Sequence, residues 1–383
     1  MLIAAMICVA GTVMARQALT VIDQDYELAR RTALQQHKLL IVDFYTTWCV
    51  PCKMLDKTVF RNDSMAQEIG KHFVVLKYDA EKDTKYNLSL KHHISSYPTT
   101  VVLTADGQVV HKMFGTGGSG ALMANYTSLL KESVRRHNDG QYIEGYRPAI
   151  DTGIYPAFYK NYVRRIANIK TGDLDRYWDD NKDLESEASF AVLAYFGRAP
   201  QRVADYFLEH KAVYEKRFGA GDVQFVVQGM VAERFGSAVS TKDQAAYESA
   251  VTFARQHLSA EELRHYEAAF SLEMYIATDN WSAVVPVIEE RLRLKTIDAQ
   301  EVNQYCWRIY EQCASKEIIA KAVDWMAQAV ASEPSYALLD TYARLLAKEG
   351  NKEAAVREMQ RAIAKGKAAG DDTADSEAAM KAF

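Results

Sequence analysis

Two cysteines with two residues between them, Cys49-Val50-Pro51-Cys52, have the type and spacing to do chemistry. They follow an apolar run, Leu39 to Tyr45, and open a stretch of helical character. A sulfur at a helix N-terminus meets unpaired backbone N–H groups and the positive end of the helix dipole, and both favour a thiolate. A second sulfur one turn further in is placed to attack a mixed disulfide formed on the first. The spacing therefore predicts a dithiol–disulfide couple, with Cys49 attacking and Cys52 resolving. The alternatives are two inert buried cysteines or half of a zinc site. Zinc needs four ligands, and no second Cys-x-x-Cys or paired-histidine helix completes a set. His92 and His93 are adjacent and would point in different directions from a helix.

The neighbours of the pair refine this expectation. Pro51 falls in the first helical turn, where a missing N–H costs little. No histidine separates the cysteines, so nothing between them stabilises the Cys49 thiolate as an imidazolium would; Val50-Pro51 predicts a more reducing couple. Asp43 is a carboxylate inside an apolar strand. Burial would raise its pKa and suit it to take a proton from Cys52, the alternative being a hydrogen-bonded structural acid. Trp48, beside Cys49, offers a flat contact surface or simple packing.

The elements that must hold these residues can be read in order. Glu27 to Gln36 reads as a charged helix, and Leu39 to Tyr45 as a central strand, apolar on both faces. The helix after Cys49 carries Met54, Leu55, Val59 and Phe60, and a turn at Asn62-Asp63-Ser64 caps a helix from Met65 to His72. A strand over Phe73 to Asp79, a helix over Asp83 to His92 and a strand over Val101 to Leu103 follow. Asp106-Gly107 signals a hairpin into a strand from Gln108 to Phe114. Gly115 to Gly120 reads as a flexible turn before a closing helix, Ala121 to Arg136.

This order, with Trp48-Cys49-Val50-Pro51-Cys52-Lys53 at a strand-to-helix junction, resembles the thioredoxin family over about residues 25–137. The resemblance implies an α/β thioredoxin fold. It implies that Asp43, six residues before Cys49, is the family's buried acid. Pro98 after Tyr97 matches the family's cis-proline, and Gly115 the glycine near the last strand. The Tyr97 backbone would then lie beside Cys49 as a ledge for a substrate strand, a sequence-tolerant contact like strand addition at a sheet edge. Aligning Asp79 with the family's strand-ending acid leaves Val75 where many relatives carry a buried lysine, so no lysine relay is expected. The run Met54 to Phe60 followed by Asn62-Asp63 is similar to periplasmic thiol:disulfide interchange domains, such as the C-terminal domain of DsbD. The Val-Pro pair also occurs in TlpA-like reductases.

From Tyr146 onward strand-like alternation gives way to helical patterns, for example Tyr155 to Ile169, Gln201 to Phe218, Asp222 to Phe235 and Lys242 to Leu258. Ser259 to Glu262 is a capping box for a helix running to about Ala277. Ala322, Met326, Ala329 and Pro334, then Ala355, Met359 and Ala362, with Leu339, Tyr342, Ala343, Leu346 and Gly350 between them, resemble tetratricopeptide repeats. The expected partition is residues 1–16 as a signal segment, 17–140 thioredoxin-like, 141–300 α-helical, 301–370 tetratricopeptide-like and 371–383 a fraying tail, with a linker over Asn138 to Tyr146.

Composition bounds the function. The chain has 383 residues, 49% of them hydrophobic, with a net charge of −4 and no basic cluster, which gives no hint of a nucleic-acid partner. Leu2 to Ala15 is uncharged and apolar or small, too short for a comfortable span, and suits an export signal cleaved after Ala15. Its lack of a basic n-region leaves an uncleaved membrane anchor, a buried helix and a start further upstream as alternatives. Cys8 lies inside this run, while Cys306 and Cys313, seven apart on one helix, read as buried apolar residues. The whole predicts an exported, periplasmic disulfide reductase with protein disulfides as substrates. No flavin or nicotinamide fingerprint and no metal set appears, so no cofactor is expected and an upstream dithiol protein is the expected donor. The helical region would bind a peptide or protein partner. The rival reading is an interaction scaffold whose thioredoxin-like part only recognises partners; two intact thiols weigh against it.

Overall fold

A computed structural model describes residues 19–115 and 122–383. The expected export segment with Cys8, and residues 116–120 of the expected glycine turn, lie outside the described residues. No helix among the described residues is long and apolar enough to cross a membrane. The chain forms two compact units, Met1–Met230 and Val231–Phe383.

The first unit is built on a mixed sheet. Its strands are β1 (Val21–Asp23), β2 (Leu39–Tyr45), β3 (Phe73–Asp79), β4 (Thr99–Leu103) and β5 (Val109–Phe114), in the spatial order β1-β3-β2-β4-β5. β1 and β2 run parallel to β3, while β4 runs antiparallel to β2 and to β5. β2 and β3 are mostly apolar because helices cover both faces of the sheet centre, with Asp43, Lys77 and the terminal Asp79 as charged exceptions. The helices of this part are α1 (Tyr26–Gln35), α2 (Val50–Leu55), α3 (Asp63–His72), α4 (Leu88–Lys91) and α5 (Leu122–Asn138), with a π turn at Asp56–Phe60 after α2. Leu55, Val59, Phe60, Met65 and Ile69 join Tyr126, Leu129 and Leu130 in the core on one face. This is the expected α/β thioredoxin fold.

Local differences from the sequence reading have local causes. The helix expected over Asp83 to His92 shortens to α4. Asn87 takes a left-handed φ of 57°, and Asp83 is occupied as an acceptor for the Ser89 backbone N–H and the Tyr78 hydroxyl. The expected helix Gln201 to Phe218 breaks at His210 into two.

The chain after α5 does not leave the first unit at the expected linker. Ile143 and Tyr146 are buried. Gly145 donates its N–H to the Arg217 carbonyl at 2.6 Å, and a Cβ there would stand 2.5 Å from that oxygen and from the Phe218 ring. Six helices follow: α6 (Ala157–Val163), α7 (Asp173–Asp180), α8 (Glu187–Phe196), α9 (Gln201–Glu209), α10 (Lys211–Phe218) and α11 (Ala220–Thr241). They are fastened to the sheet-bearing part by buried polar groups. Lys91 pairs with Glu187, which also accepts from the Tyr155 hydroxyl at 2.9 Å. Lys112 donates to Asp222 at 2.8 Å, and the Tyr146 hydroxyl donates to the same carboxylate at 3.1 Å. Burial works against the Asp222 charge, but Lys112 and His93 outweigh it and bring its pKa down to about 2. Burial pushes His93 down to about 4, so at neutral pH its contact with Asp222 is not an ion pair. Removing one partner of a buried ion pair costs ~3–5 kcal/mol, because the other charge is left buried and uncompensated. The boundary expected at residue 140 therefore falls inside the first unit.

The second unit is helical: α12 (Gln244–His257), α13 (Ala260–Ala277), α14 (Trp281–Arg293), α15 (Ala299–Gln312), α16 (Lys316–Ser332), α17 (Tyr336–Glu349), α18 (Lys352–Ala369) and α19 (Ala374–Met380). The expected capping box forms at Ser259 and Glu262, and a second at Asp298 and Glu301. Ala322, Met326, Ala329, Leu339, Ala343, Leu346, Ala355, Met359 and Ala362 all face one core. Cys306 and Cys313 are buried free thiols; Cys306 lies within α15 and Cys313 at its C-cap. The residues expected to fray include α19, whose Ser376 donates to Asp340 at 2.6 Å.

Candidate active site

β2 carries the chain to its C-terminal edge, where Cys49 caps α2. Cys49 has extended backbone angles, and its sulfur accepts the Cys52 N–H at 3.1 Å. Pro51 occupies the first turn of α2, where no helix hydrogen bond is lost. Cys49 and Cys52 are joined as a disulfide. Both are buried, but the flanking Trp48 and Val50 are 61% and 72% exposed. The pair thus sits at the surface with its sulfurs shielded.

Tyr97-Pro98 is a cis peptide, as the resemblance implied. The Trp48 and Tyr97 rings meet edge to face with centroids 6.1 Å apart. Gly115 takes a φ of +62° and donates its N–H to the Pro98 carbonyl at 2.8 Å, holding this segment against the end of β5. The structure therefore brings Trp48, Tyr97, Pro98 and Gly115 together in one region.

Asp43 lies in the middle of the sheet and is 1% exposed. Burial raises its pKa above the usual carboxylate value, against the pull of Lys77. Its Oδ2 accepts from Lys77 Nζ at 2.5 Å, while Oδ1 is buried with no hydrogen-bond partner among the described residues. An unpaired buried carboxylate oxygen is a place for a proton.

Lys77 corrects the expectation that no lysine would stand here. The parallel register of β2 and β3 sets Asp43 opposite Lys77 and Ile41 opposite Val75. Val75 and Lys77 share a face, so an alignment anchored on Asp79 chose the right side of the strand and the wrong position along it. Lys77 is also shared with Asp56, whose Oδ1 stands 3.2 Å away. Burial works against the Lys77 ammonium, but the two carboxylates outweigh it and its pKa rises. The same lysine, with Arg61 at 2.5 Å, holds the Asp56 carboxyl below its usual value despite partial burial. Cys52, Asp56 and Lys77 line one cleft of about 770 Å³ together with Lys53, Lys57 and Arg61.

Two further residues touch this region. Glu81 Oε1 accepts from Trp48 Nε1 at 3.0 Å and from Arg165 Nη1 at 2.6 Å. A lone lysine in the run Phe73 to Asp79 was a signal for Lys77; nothing local in the sequence marks Asp56, Glu81 or Arg165. Among the described residues no group of three or more His, Cys, Asp and Glu side chains is arranged to hold a metal ion.

A Cys-x-x-Cys disulfide at a helix mouth, backed by a buried acid and flanked by a cis-proline segment, defines a thiol–disulfide exchange centre. A thioredoxin-like family model matches residues 21–105. Thioredoxin of Mycolicibacterium smegmatis is 32% identical over 97 residues, which make up 25% of this chain and 83% of the relative. Thioredoxin-1 of Drosophila melanogaster is 38% identical over 74 residues, 19% of this chain and 64% of the relative. The structure of reduced Schistosoma mansoni thioredoxin pre-protein matches at 28% identity, covering 30% of this chain and 97% of that one, with a TM-score of 0.22. The chain belongs to the thioredoxin-like family.

Proposed function

We propose that this protein reduces disulfides of exported proteins. The observation that carries the exchange chemistry is the Cys49–Cys52 disulfide at the N-terminus of α2, with Asp43 raised in pKa behind it. In the reduced protein the Cys49 thiolate attacks one sulfur of a substrate disulfide laid along Tyr97-Pro98. A Cys49–substrate disulfide forms, and the other substrate sulfur leaves as a thiolate. Cys52 then gives its proton to Asp43, through the cleft it shares with Lys77, and attacks the Cys49 sulfur. The Cys49–Cys52 disulfide forms and the second substrate thiolate is released. Two electrons have passed to the substrate, and an upstream dithiol protein must return them.

The reducing direction rests on Val50-Pro51, which supplies no cation to the Cys49 thiolate. The periplasmic setting rests on the apolar run Leu2 to Ala15 and on the similarity to DsbD and TlpA-like domains. The repeat-like spacing of α16 to α18 supports a tetratricopeptide-like second unit that binds a peptide or protein partner.

Insulin reduction by the purified protein with dithiothreitol tests the chemistry; equal turbidity curves for wild type and Cys49→Ser would remove it. Equilibration against glutathione buffers tests the direction, and a potential near −120 mV, typical of strong periplasmic oxidants, would reverse it. Sequencing the N-terminus of the protein recovered from fractionated cells tests export.

A further inference from the structure

The helical extension reaches the rim of the exchange centre through one side chain. Arg165 follows the last turn of α6 and takes a left-handed φ of 57°. Its N–H bonds to the Tyr162 carbonyl at 2.9 Å and the next N–H to the Asn161 carbonyl at 2.8 Å, which closes the helix end. Glycine is the usual residue at such a position because a Cβ is disfavoured there. His37, Lys242, Asp279 and Lys295 close other helices of this chain with the same pair of backbone bonds, so the left-handed turn alone does not single out Arg165.

What distinguishes Arg165 is where its side chain goes. Arg165 Nη1 reaches the same Glu81 oxygen that accepts the Trp48 indole N–H. The platform under it is fixed: Tyr159 is fully buried and its hydroxyl donates to the Leu90 carbonyl at 2.8 Å, and Arg164 donates to Asn87 at 3.0 Å. The Arg165 charge also offsets part of the burial that raises the Tyr97 and Tyr195 pKa values. Without Arg165, the Glu81 carboxylate would be free to turn to water, and the indole would lose its fixed acceptor.

We infer that Arg165 is a positioning residue for exchange with protein substrates: through Glu81 it holds the Trp48 indole in one orientation beside Cys49. The inference rests on the thiol–disulfide reading above. A folded substrate must lie against the Trp48 face, whereas a small disulfide needs only the sulfur. Loss of Arg165 therefore raises KM for a protein disulfide and spares the reaction with a small one.

The full-length protein carrying Arg165→Ala or Arg165→Lys would be compared with wild type in three measurements. These are insulin reduction, the rate with the small aromatic disulfide DTNB, and the Trp48 indole N–H resonance assigned with Trp48→Phe. In Arg165→Ala the insulin KM is expected to rise about fivefold, with kcat and the DTNB rate changing less than about twofold, the size expected for losing one half-exposed charged contact. The indole resonance shifts, and Arg165→Lys restores most of both effects. An unchanged insulin KM together with an unmoved indole resonance overturns the inference, as does a DTNB rate that falls in step with insulin reduction. If wild type reduces neither substrate, the thiol–disulfide reading falls, and the indole resonance by itself decides whether Arg165 positions Trp48.

Discussion

Two pairs of cysteines lie at helices of this protein, and burial does not tell them apart. Cys49, the N-cap of α2, and Cys52 within it are 3% and 4% exposed, and Cys306 within α15 and Cys313 at its C-cap are 0% and 1% exposed. Their places on the helix differ. Cys49 is an N-cap, where its sulfur already accepts a backbone N–H and meets the positive end of the dipole. Cys306 lies mid-helix among Val302, Tyr305 and Ile309, with its sulfur 3.7 Å from the Ala322 carbonyl, and burial pushes its thiol pKa up. One environment stabilises a thiolate and the other opposes it. The flanks differ as well: Trp48 and Val50 are exposed beside the first pair, whereas the second lies in the core of its unit. Helix position and surroundings therefore predict a reactive first pair and an inert second one, although the residues of both are similarly buried.

Substitution breaks the comparison most directly. Cys49→Ser should lower insulin reduction by about 10³-fold or more, since no other residue replaces the nucleophile. Cys306→Ser and Cys313→Ser should leave that rate within about twofold. Their cost should appear in stability instead, at ~1–3 kcal/mol for a buried hydroxyl without a full set of partners, read from urea denaturation. A loss of exchange in Cys306→Ser at unchanged stability would mean that α15 belongs to the redox chemistry.

Asp43→Asn sharpens the contrast one step down. A positioned base contributes about 10²-fold or more to a proton transfer, so the mixed disulfide should persist about a hundredfold longer and be trapped on gels. The pH profile carries the sign. Asp43 accepts a proton only when ionised, and its pKa is raised by burial. In wild type the resolving rate therefore climbs with pH at values above the ordinary carboxylate range, and in Asp43→Asn this limb disappears. A limb that survives would assign the proton to another group, with Asp56 beside the shared lysine the first to test.

The same contrast explains what could be read from the sequence. The exchange centre is local: Cys49, Cys52, Pro51 and Trp48 fall within five consecutive residues, and Asp43 lies on the strand leading into them. β2 and β3 were legible to the residue because a strand buried on both faces is a largely apolar run, here interrupted only by Asp43 in β2 and by Lys77 and the terminal Asp79 in β3. β1 was missed, being three residues long and only partly buried. Lys77 depended on register, which is set by pairing across the sheet. The extent of the first unit was hidden for a related reason. Lys91 finds Glu187 at a sequence separation of 96 residues, and Lys112 finds Asp222 at 110. A charged residue in a sequence reads as exposed until its partner is known, so the buried pairs that keep residues 141–230 with the sheet could not be foreseen.

The smallest effect separates the two pairs by rate and without substitution. In protein reduced with dithiothreitol and then freed of it, iodoacetamide at pH 8 should modify Cys49 within minutes. Cys306 is held by packing and by a thiol pKa raised by burial, so its labelling needs local opening of α15 or α16. Its rate should follow the opening equilibrium and rise with sub-denaturing urea, while Cys49 labelling stays nearly constant. Mass spectrometry of peptides around Cys49 and Cys306 reads both at once. Equal labelling in the absence of urea would show that neither packing nor helix position sets the two pairs apart in reactivity.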